Sequence, residues 1–454
     1  MYVAPLAEPV SPSAVALRLS HLPGLCWLDG DGSDRDGRWS FIGADPVARL
    51  SHSLAARAPL AAFDAMESGG ETRHVQEATP SGAPSVEQVP RWAGYVAYDA
   101  HFASSPQRLV RPAQRPVLSF ARYDALFAFD HASGRAFVVG DDRGACERLI
   151  ARTQSASPRA CAARAGSVRA TPADQHGRAI ESALELIASG EIYQVNLARC
   201  FTAAFDGAPL ALWYALRTAS PVPLGFYYDD GTRVIVARTM ERFLRWQRAE
   251  HVLHSRPIKG TIARSGARDR ADAAALRSDD KERAEHAMIV DLMRNDLGRI
   301  AETGSVRAPE VMMVEPYAGL SHLVSTVECR TRADVSLRAV LDATFPPGSV
   351  TGTPKLRAID VIERLESEPR DVYTGAVGFV DRSGGLSLAV AIRTAIVEAG
   401  SLRYFAGGGI VEASDVAREI AETELKARVL FDALRALPGS SAGDGVLCTA
   451  PVLS

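Results

Sequence analysis

The stretch HGRAIESALELIASGEIYQVNLARC (176–200) changes period in its middle. Ile180, Leu184 and Ile187 recur at the spacing of one helix face, and Gly190 supplies the stop. EIYQVNLARC (191–200) then alternates, with Tyr193, Val195 and Leu197 pointing one way and Gln194 and Asn196 the other. Further along, a helix is predicted over KERAEHAMIVDLMRNDLG (281–298), and another from Ser414, as N-cap, through VAREIAETELKARVLFDAL. Between them lie strand-like runs at HLVSTVE (322–328), GAVGFVD (375–381), LAVAIRTAIV (388–397) and LRYFAG (402–407). There is no internal repeat and no regular βαβ rhythm. The fold class this implies is α+β.

Working outward, residues 1–150 read as β-rich, from RWSFIGADPVARL (38–50), WAGYVAYDA (92–100) and ALFAFDH (125–131). The polar segment 69–90 reads as a long surface loop, and 151–175, rich in Ser, Ala, Pro and Arg, as a linker. The main region is expected over 176–437, with 438–454 as a frayed tail.

Among 454 residues, 51 Lys+Arg against 54 Asp+Glu give a net charge of −3, with 47% hydrophobic and 23% charged residues. A balance so near neutral excludes nucleic acid as a partner held mainly by charge, and gives no support to a polybasic membrane-surface protein. No apolar run is long enough to span a membrane, and the N-terminus lacks a basic stretch followed by an apolar core, so neither a membrane span nor a signal peptide is expected. Six scattered cysteines without a CxxC pair suit a reducing compartment, so the expected location is cytoplasmic.

Several residues could carry chemistry. Glu285 lies on the apolar stripe of its helix with Ile289 and Leu292, where a carboxylate must be paired, protonated or metal-bound. Glu422 precedes Lys426 by one turn, which suits either a solvated i,i+4 pair or an inward carboxylate. Two such carboxylates from separate helices would suit Mg²⁺, which takes few protein oxygens and keeps positions for water and substrate. PPGSVTGTPK (346–355) is not a phosphate loop, because Gly352 is followed by Thr353-Pro354-Lys355 and not by Lys-Ser/Thr. GGGI (407–410) could be a bare turn or a set of amides that receives a carboxylate. In RPIKGT (256–261), Lys259 is either a solvated charge or, with burial or a neighbouring cation, a nucleophile.

The segments EIYQVNLAR, MERF, PIKGT, EHAMIVDLMRNDLGRI, HLVSTV, FPPGSVTGTPKLRAID, YTGAVGF, AIRT, GGGIV and ETELKA occur in the order found in the chorismate-utilising enzymes. The chain therefore resembles that family: anthranilate synthase large subunits, isochorismate and salicylate synthases, and aminodeoxychorismate synthase component I. The likeness is strong over 176–436 and looser before it, through RWSFIGADP, GYVAYD and FAFDH. It implies an anthranilate-synthase-like fold, with two antiparallel sheets packed into a core and helices outside. It also implies Mg²⁺ held by Glu285 and Glu422 against a carboxylate of chorismate. Glu241 matches the acid that protonates the departing C4 hydroxyl, and His322 the active-site histidine. Tyr373, Arg393 and Lys426 match residues that hold carboxylates, with the amides of Gly407, Gly408 and Gly409 and with Thr351 beside them. Lys355 is expected near the dianion as well. Thr239-Met240 replace the family's usual Ser-Pro before the acid.

Two positions separate members of this family. Gln194 stands where isochorismate and salicylate synthases have a water-activating lysine, so water is not the implied nucleophile. Lys259 stands where anthranilate synthases usually have alanine. Within the resemblance it implies aminodeoxychorismate synthase: the lysine amine attacks C2, ammonia then attacks C4, and 4-amino-4-deoxychorismate results. The chain shows no glutaminase nucleophile context and its motifs end short of residue 454, so ammonia is expected from a separate glutamine amidotransferase, with no fused lyase. Anthranilate synthase component I and a non-catalytic regulatory paralogue are the alternatives. Related proteins can hold tryptophan near the region of Arg38-Trp39-Ser40.

Overall fold

The computed structural model describes residues 1–6, 10–33, 36–56, 58–68, 80–104, 114–154, 161–263, 269–317 and 320–437. Two antiparallel sheets dominate it, and each takes strands from both ends of the chain. The first runs Tyr2–Pro5, Arg135–Gly140, Ala125–Asp130, Trp39–Gly43, Cys26–Asp29, Leu224–Asp229, Arg233–Thr239, Thr394–Glu398, Ser401–Ile410 and Gln194–Gly207. The second runs Ile258–Ala263, Leu320–Arg330, Val252–Arg256, Arg242–Gln247, Leu386–Val390, Ala376–Asp381, Pro90–Val96, Pro116–Arg122 and Ala48–Ser53. The β-rich first third is thus woven into both sheets, and the α+β class holds.

Alternation along the strands sorts side chains into two cores. In the first sheet Phe226, Tyr228, Ile235 and Ala237 face the second sheet, joining Tyr95, Phe120, Leu244 and Trp246. Their neighbours Tyr227, Val234 and Val236 face outward, where the helices Pro209–Ala219 and Val416–Arg435 cover them with Trp213 and Leu430.

The predicted helices form over Ala173–Ala188, Asp280–Gly298 and Val416–Arg435. The last is capped by Asp415, whose carboxylate accepts from Arg418 N–H at 2.9 Å, and not by Ser414. Ser414 is spent one step earlier: its hydroxyl accepts from Val411 N–H and donates to Glu419. The run 388–397, read as one strand, is two. Leu386–Val390 belongs to the second sheet and Thr394–Glu398 to the first, and Arg393 at φ 48° turns the chain between them. The expected linker carries two short strands, Ala163–Ala165 and Arg169–Ala170, both paired with Gln194–Gly207. Part of the predicted 69–90 loop (69–79) and the tail 438–454 lie outside the described residues.

Candidate active site

Two chain crossings between the sheets lie side by side. Thr239-Met240-Glu241 leads from the first sheet to the second, and Ala391-Ile392-Arg393 leads back. They are tied together by Val390 N–H to Glu241 carbonyl (3.0 Å) and Arg238 N–H to Arg393 carbonyl (3.1 Å). This pairing fixes where the side chains of Glu241 and Arg393 start.

Beside the crossings, Ser401–Ile410 pairs with Gln194–Gly207, hereafter the floor strand. The three glycines are therefore in a strand and not in a turn. On the floor strand, Asn196 N–H bonds Thr351 carbonyl at 2.7 Å and Ala198 N–H bonds the Glu366 carboxylate at 2.9 Å, both away from the glycines. Their cross-strand partners Gly409 and Gly407 are consequently non-hydrogen-bonded positions, whose amides point to the opposite edge. That edge is open, because the neighbouring strand pairs only as far as Ala395 with Tyr404. Two N–H donors thus face the gap where Arg393 sits. Lys426 Nζ reaches the same edge, donating to Gly407 carbonyl at 2.8 Å.

The glycines are needed for space. A Cβ on Gly409 would lie 2.5 Å from Gln194 Nε2 and 3.0 Å from Lys259 Nζ. A Cβ on Gly408, on the other face, would lie 3.0 Å from Glu419 and 3.8 Å from Glu422. Lys259 and Gln194 therefore converge over Gly409.

Glu241 is 4% exposed. Burial raises its pKa to about 7, against the opposing pull of the Ser349 hydroxyl, the Lys259 charge, the Ile258 N–H and Lys426. A carboxyl so placed keeps a proton to give near neutral pH. His322 is pushed down to about 4, first by burial and then by the charges of Arg393 and Lys426, against its bond to Gly260. It is neutral, with Nδ1–H donating to Gly260 carbonyl at 3.0 Å and Tyr317 packed edge-on at 5.4 Å. Among the described residues neither Lys259 nor Arg393 makes an ion pair. Glu241 feels the charges of Lys259 and Lys426, and His322 those of Arg393 and Lys426, so the five groups neighbour one candidate cleft.

The remaining expected residues fall into three groups. Tyr373 sits further along the floor, stacked on Phe405 at 5.2 Å with Cys200 beneath. Thr351 is sealed, 0% exposed, and its hydroxyl donates to the carbonyls of Pro347 and Gly348, so it shapes the loop and does not reach the cleft. Lys355 is likewise not at the substrate. Its ammonium is taken by Asp296 (2.5 Å) and the carbonyls of Thr344 and Pro346, tying the proline-rich loop to the Asp280–Gly298 helix.

Glu285, 7% exposed, comes from that helix, and Glu422 from Val416–Arg435, where it pairs with Lys426 at 2.6 Å. Among the described residues no three His, Cys, Asp or Glu side chains form a ready metal cage. Two carboxylates offering only oxygen fit Mg²⁺, which fills the rest of its shell with water and substrate.

Sequence reasoning missed Ser349, which steadies Glu241, and Arg370, which makes five hydrogen bonds, one of them to the Asn196 carbonyl at the edge of the floor strand. It noted Asn196 only for its alternation with Gln194, which was the available signal. Arg38 and Trp39 border a cavity of about 440 Å³ between the sheets, walled also by Arg242, Arg245 and Phe379.

The model of the chorismate binding enzyme family matches residues 26–432. The chain belongs to that family. It is 34% identical to anthranilate synthase component 1 of Neisseria meningitidis serogroup B, over 94% of this chain and 93% of that one. It is 45% identical to an aminodeoxychorismate synthase of Streptomyces griseus, over 59% of this chain but only 37% of that one. A second such synthase, from Streptomyces pristinaespiralis, is 33% identical over 96% of this chain and 65% of its own. The chain thus spans less than two thirds of both Streptomyces proteins. The crystal structure of anthranilate synthase component I from Streptococcus pneumoniae superposes with a TM-score of 0.75 at 28% identity, covering 88% of this chain and 93% of that one. The menaquinone-specific isochorismate synthase of Escherichia coli, 19% identical, shares the fold with a TM-score of 0.73, over 95% and 94%. No helix among the described residues is long and apolar enough to cross a membrane.

Proposed function

We propose that this chain is the chorismate-aminating component of an aminodeoxychorismate synthase, working with a separate glutamine amidotransferase and feeding 4-aminobenzoate and folate synthesis. The observation that carries the reading is Lys259, which sits over Gly409 beside Gln194, unpaired with any carboxylate among the described residues but within the electrostatic reach of Glu241. The dispersed, unpaired described cysteines favour the cytoplasm as its compartment.

In this reading the Gly407 and Gly409 amides, Arg393 and Lys426 receive the carboxylates of chorismate. Magnesium, held by Glu285 and Glu422, would supply further positive charge for a carboxylate. Lys259, once it has given up a proton, forms a bond to C2 through its amine, both ring double bonds shift along the diene, and the C4 hydroxyl departs as water with the proton of Glu241. Ammonia then bonds to C4, both double bonds shift back, and the electron pair of the C2–N bond returns to Lys259. The ammonia nitrogen returns one proton to the Glu241 carboxylate, and the sum is chorismate plus ammonia to 4-amino-4-deoxychorismate plus water. His322, neutral and Nδ1-protonated, lines the same cleft without adding charge.

The test is the protein with chorismate, Mg²⁺ and ammonium, with the product resolved by chromatography. A product that an added aminodeoxychorismate lyase converts to 4-aminobenzoate supports the reading. Anthranilate fluorescence without a lyase overturns it in favour of anthranilate synthase, whose Neisseria relatives match this chain nearly end to end. Calorimetry showing no binding of chorismate with Mg²⁺ would instead favour a non-catalytic paralogue.

A further inference from the structure

The floor strand and the short strand Gly352–Thr353 paired with it leave three polar side-chain atoms without partners among the described residues. Gln194 Oε1, Asn196 Oδ1 and Thr353 Oγ1 are shut off from solvent and find no hydrogen bond among the described residues. Gln194 is 1% and Asn196 7% exposed. All three lie on one face. Gln194 and Thr353 are opposite each other in register, and Asn196 is opposite Gly409, over which Gln194 also leans. On the other face Val195 and Leu197 join the apolar core.

The backbone here is well provided for. Asn196 N–H has Thr351 carbonyl, Asn196 carbonyl has Arg370, and Ala198 N–H has Glu366. The fold thus satisfies the strand's edges and leaves its cleft-side oxygens waiting for a donor. Buried acceptors left unmade cost stability, so a cluster of them marks a place where a ligand supplies the missing N–H or O–H groups. A carboxylate cannot do so, because amide oxygens only accept. Ammonium carries only N–H donors, and ammonia carries three beside its lone pair, so three acceptors are the complement of ammonia with that lone pair aimed away.

We infer that Gln194, Asn196 and Thr353 form the seat of the attacking nitrogen, a subsite for ammonia or ammonium beside Lys259. This rests on the reading of the cleft as an aminating site, whichever ring carbon is aminated. The experiment is steady-state chorismate consumption with ammonium as the nitrogen source, comparing wild type with Gln194→Leu, Asn196→Leu and Thr353→Val. We expect the KM for ammonium to rise about tenfold or more in each amide variant, with the KM for chorismate moving less than about threefold. Should the leucine variants fold poorly by thermal unfolding, Gln194→Glu and Asn196→Asp keep the shape and add charge, and the KM for ammonium should fall several-fold. An unchanged KM for ammonium overturns the subsite. So does a rise in the KM for chorismate alone, which would give the acceptors to a substrate hydroxyl. A fall in kcat with both KM values unmoved also overturns it, giving them to Lys259. If wild type shows no ammonium-dependent consumption, the aminating function itself fails, and the subsite with it.

Discussion

Arg370 and Lys259 are both cations held against the floor strand, and the fold treats them in opposite ways. Arg370 is fully enclosed, pairs with Glu366 at 2.6 Å, and donates to the carbonyls of Asn196 and Val350 and to the Thr374 hydroxyl. A parallel anchor stands nearby, where the Asp371 carboxylate takes Arg233 and Arg403. Together they pin the turn at Asp371 and Thr374, whose φ values of 57° and 61° flank Tyr373. Lys259, in contrast, has no ion pair among the described residues, and the amide oxygens beside it are equally unmet. Buried charge that is fully satisfied is scaffold. Polar groups left wanting are where a ligand finishes the job.

That contrast can be broken in several places. The largest effect expected is on activity. Lys259→Ala should abolish C4 amination, and Glu241→Gln should slow chorismate turnover by roughly 10²–10⁴-fold, both read by product chromatography. Normal C4 amination by Lys259→Ala would remove the lysine's role. Stability should show the reverse pattern. Arg370→Met leaves Glu366 buried and unpaired, at a cost of about 3–5 kcal/mol in denaturant unfolding. Lys259→Met breaks no ion pair and should change stability by less than about 1 kcal/mol. Equal losses would mean that both cations are scaffold.

A smaller effect comes from pH. Glu241 is raised to about 7, so it is the protonated donor below that value and ionises as pH rises through it. Turnover limited by this acid should fall about tenfold per pH unit on the alkaline side. Glu241→Gln should lose that limb, and a limb unchanged in the variant would assign it elsewhere. The smallest effect expected is on stability at Glu422. It pairs with Lys426 but is 45% exposed, so Glu422→Gln should cost only a few tenths of a kcal/mol. The same variant should nonetheless lose the Mg²⁺-dependent part of chorismate binding in calorimetry, and retention of that part would remove Glu422 from the metal.

Local pattern made the helices around Ile180, Glu285 and Glu422 legible, because their periods are long and their stops clear. The apolar run 388–397 hid its break, since Val390 and Ala395 are equally buried in different sheets and nothing apolar marks the crossing. Pairings such as Tyr227 with Trp27 join residues distant in sequence, and no local signal announces them. The site divides in the same way. Glu241, Lys259 and Glu285 stood out by motif. Lys355 misled, because a lysine quoted in a motif does not show whether its partner is substrate or, as here, Asp296. The roles of Asn196, Thr353 and Arg370 were not legible, because having or lacking a hydrogen-bond partner is a property of the assembled fold.

The role given to Lys259 is tested most directly by mass spectrometry of the protein quenched during turnover with chorismate, Mg²⁺ and ammonium. The account predicts an adduct of chorismate less one water on the peptide carrying Lys259, formed without ammonium and discharged when ammonium is added. No adduct on Lys259, with aminodeoxychorismate still forming, would contradict it.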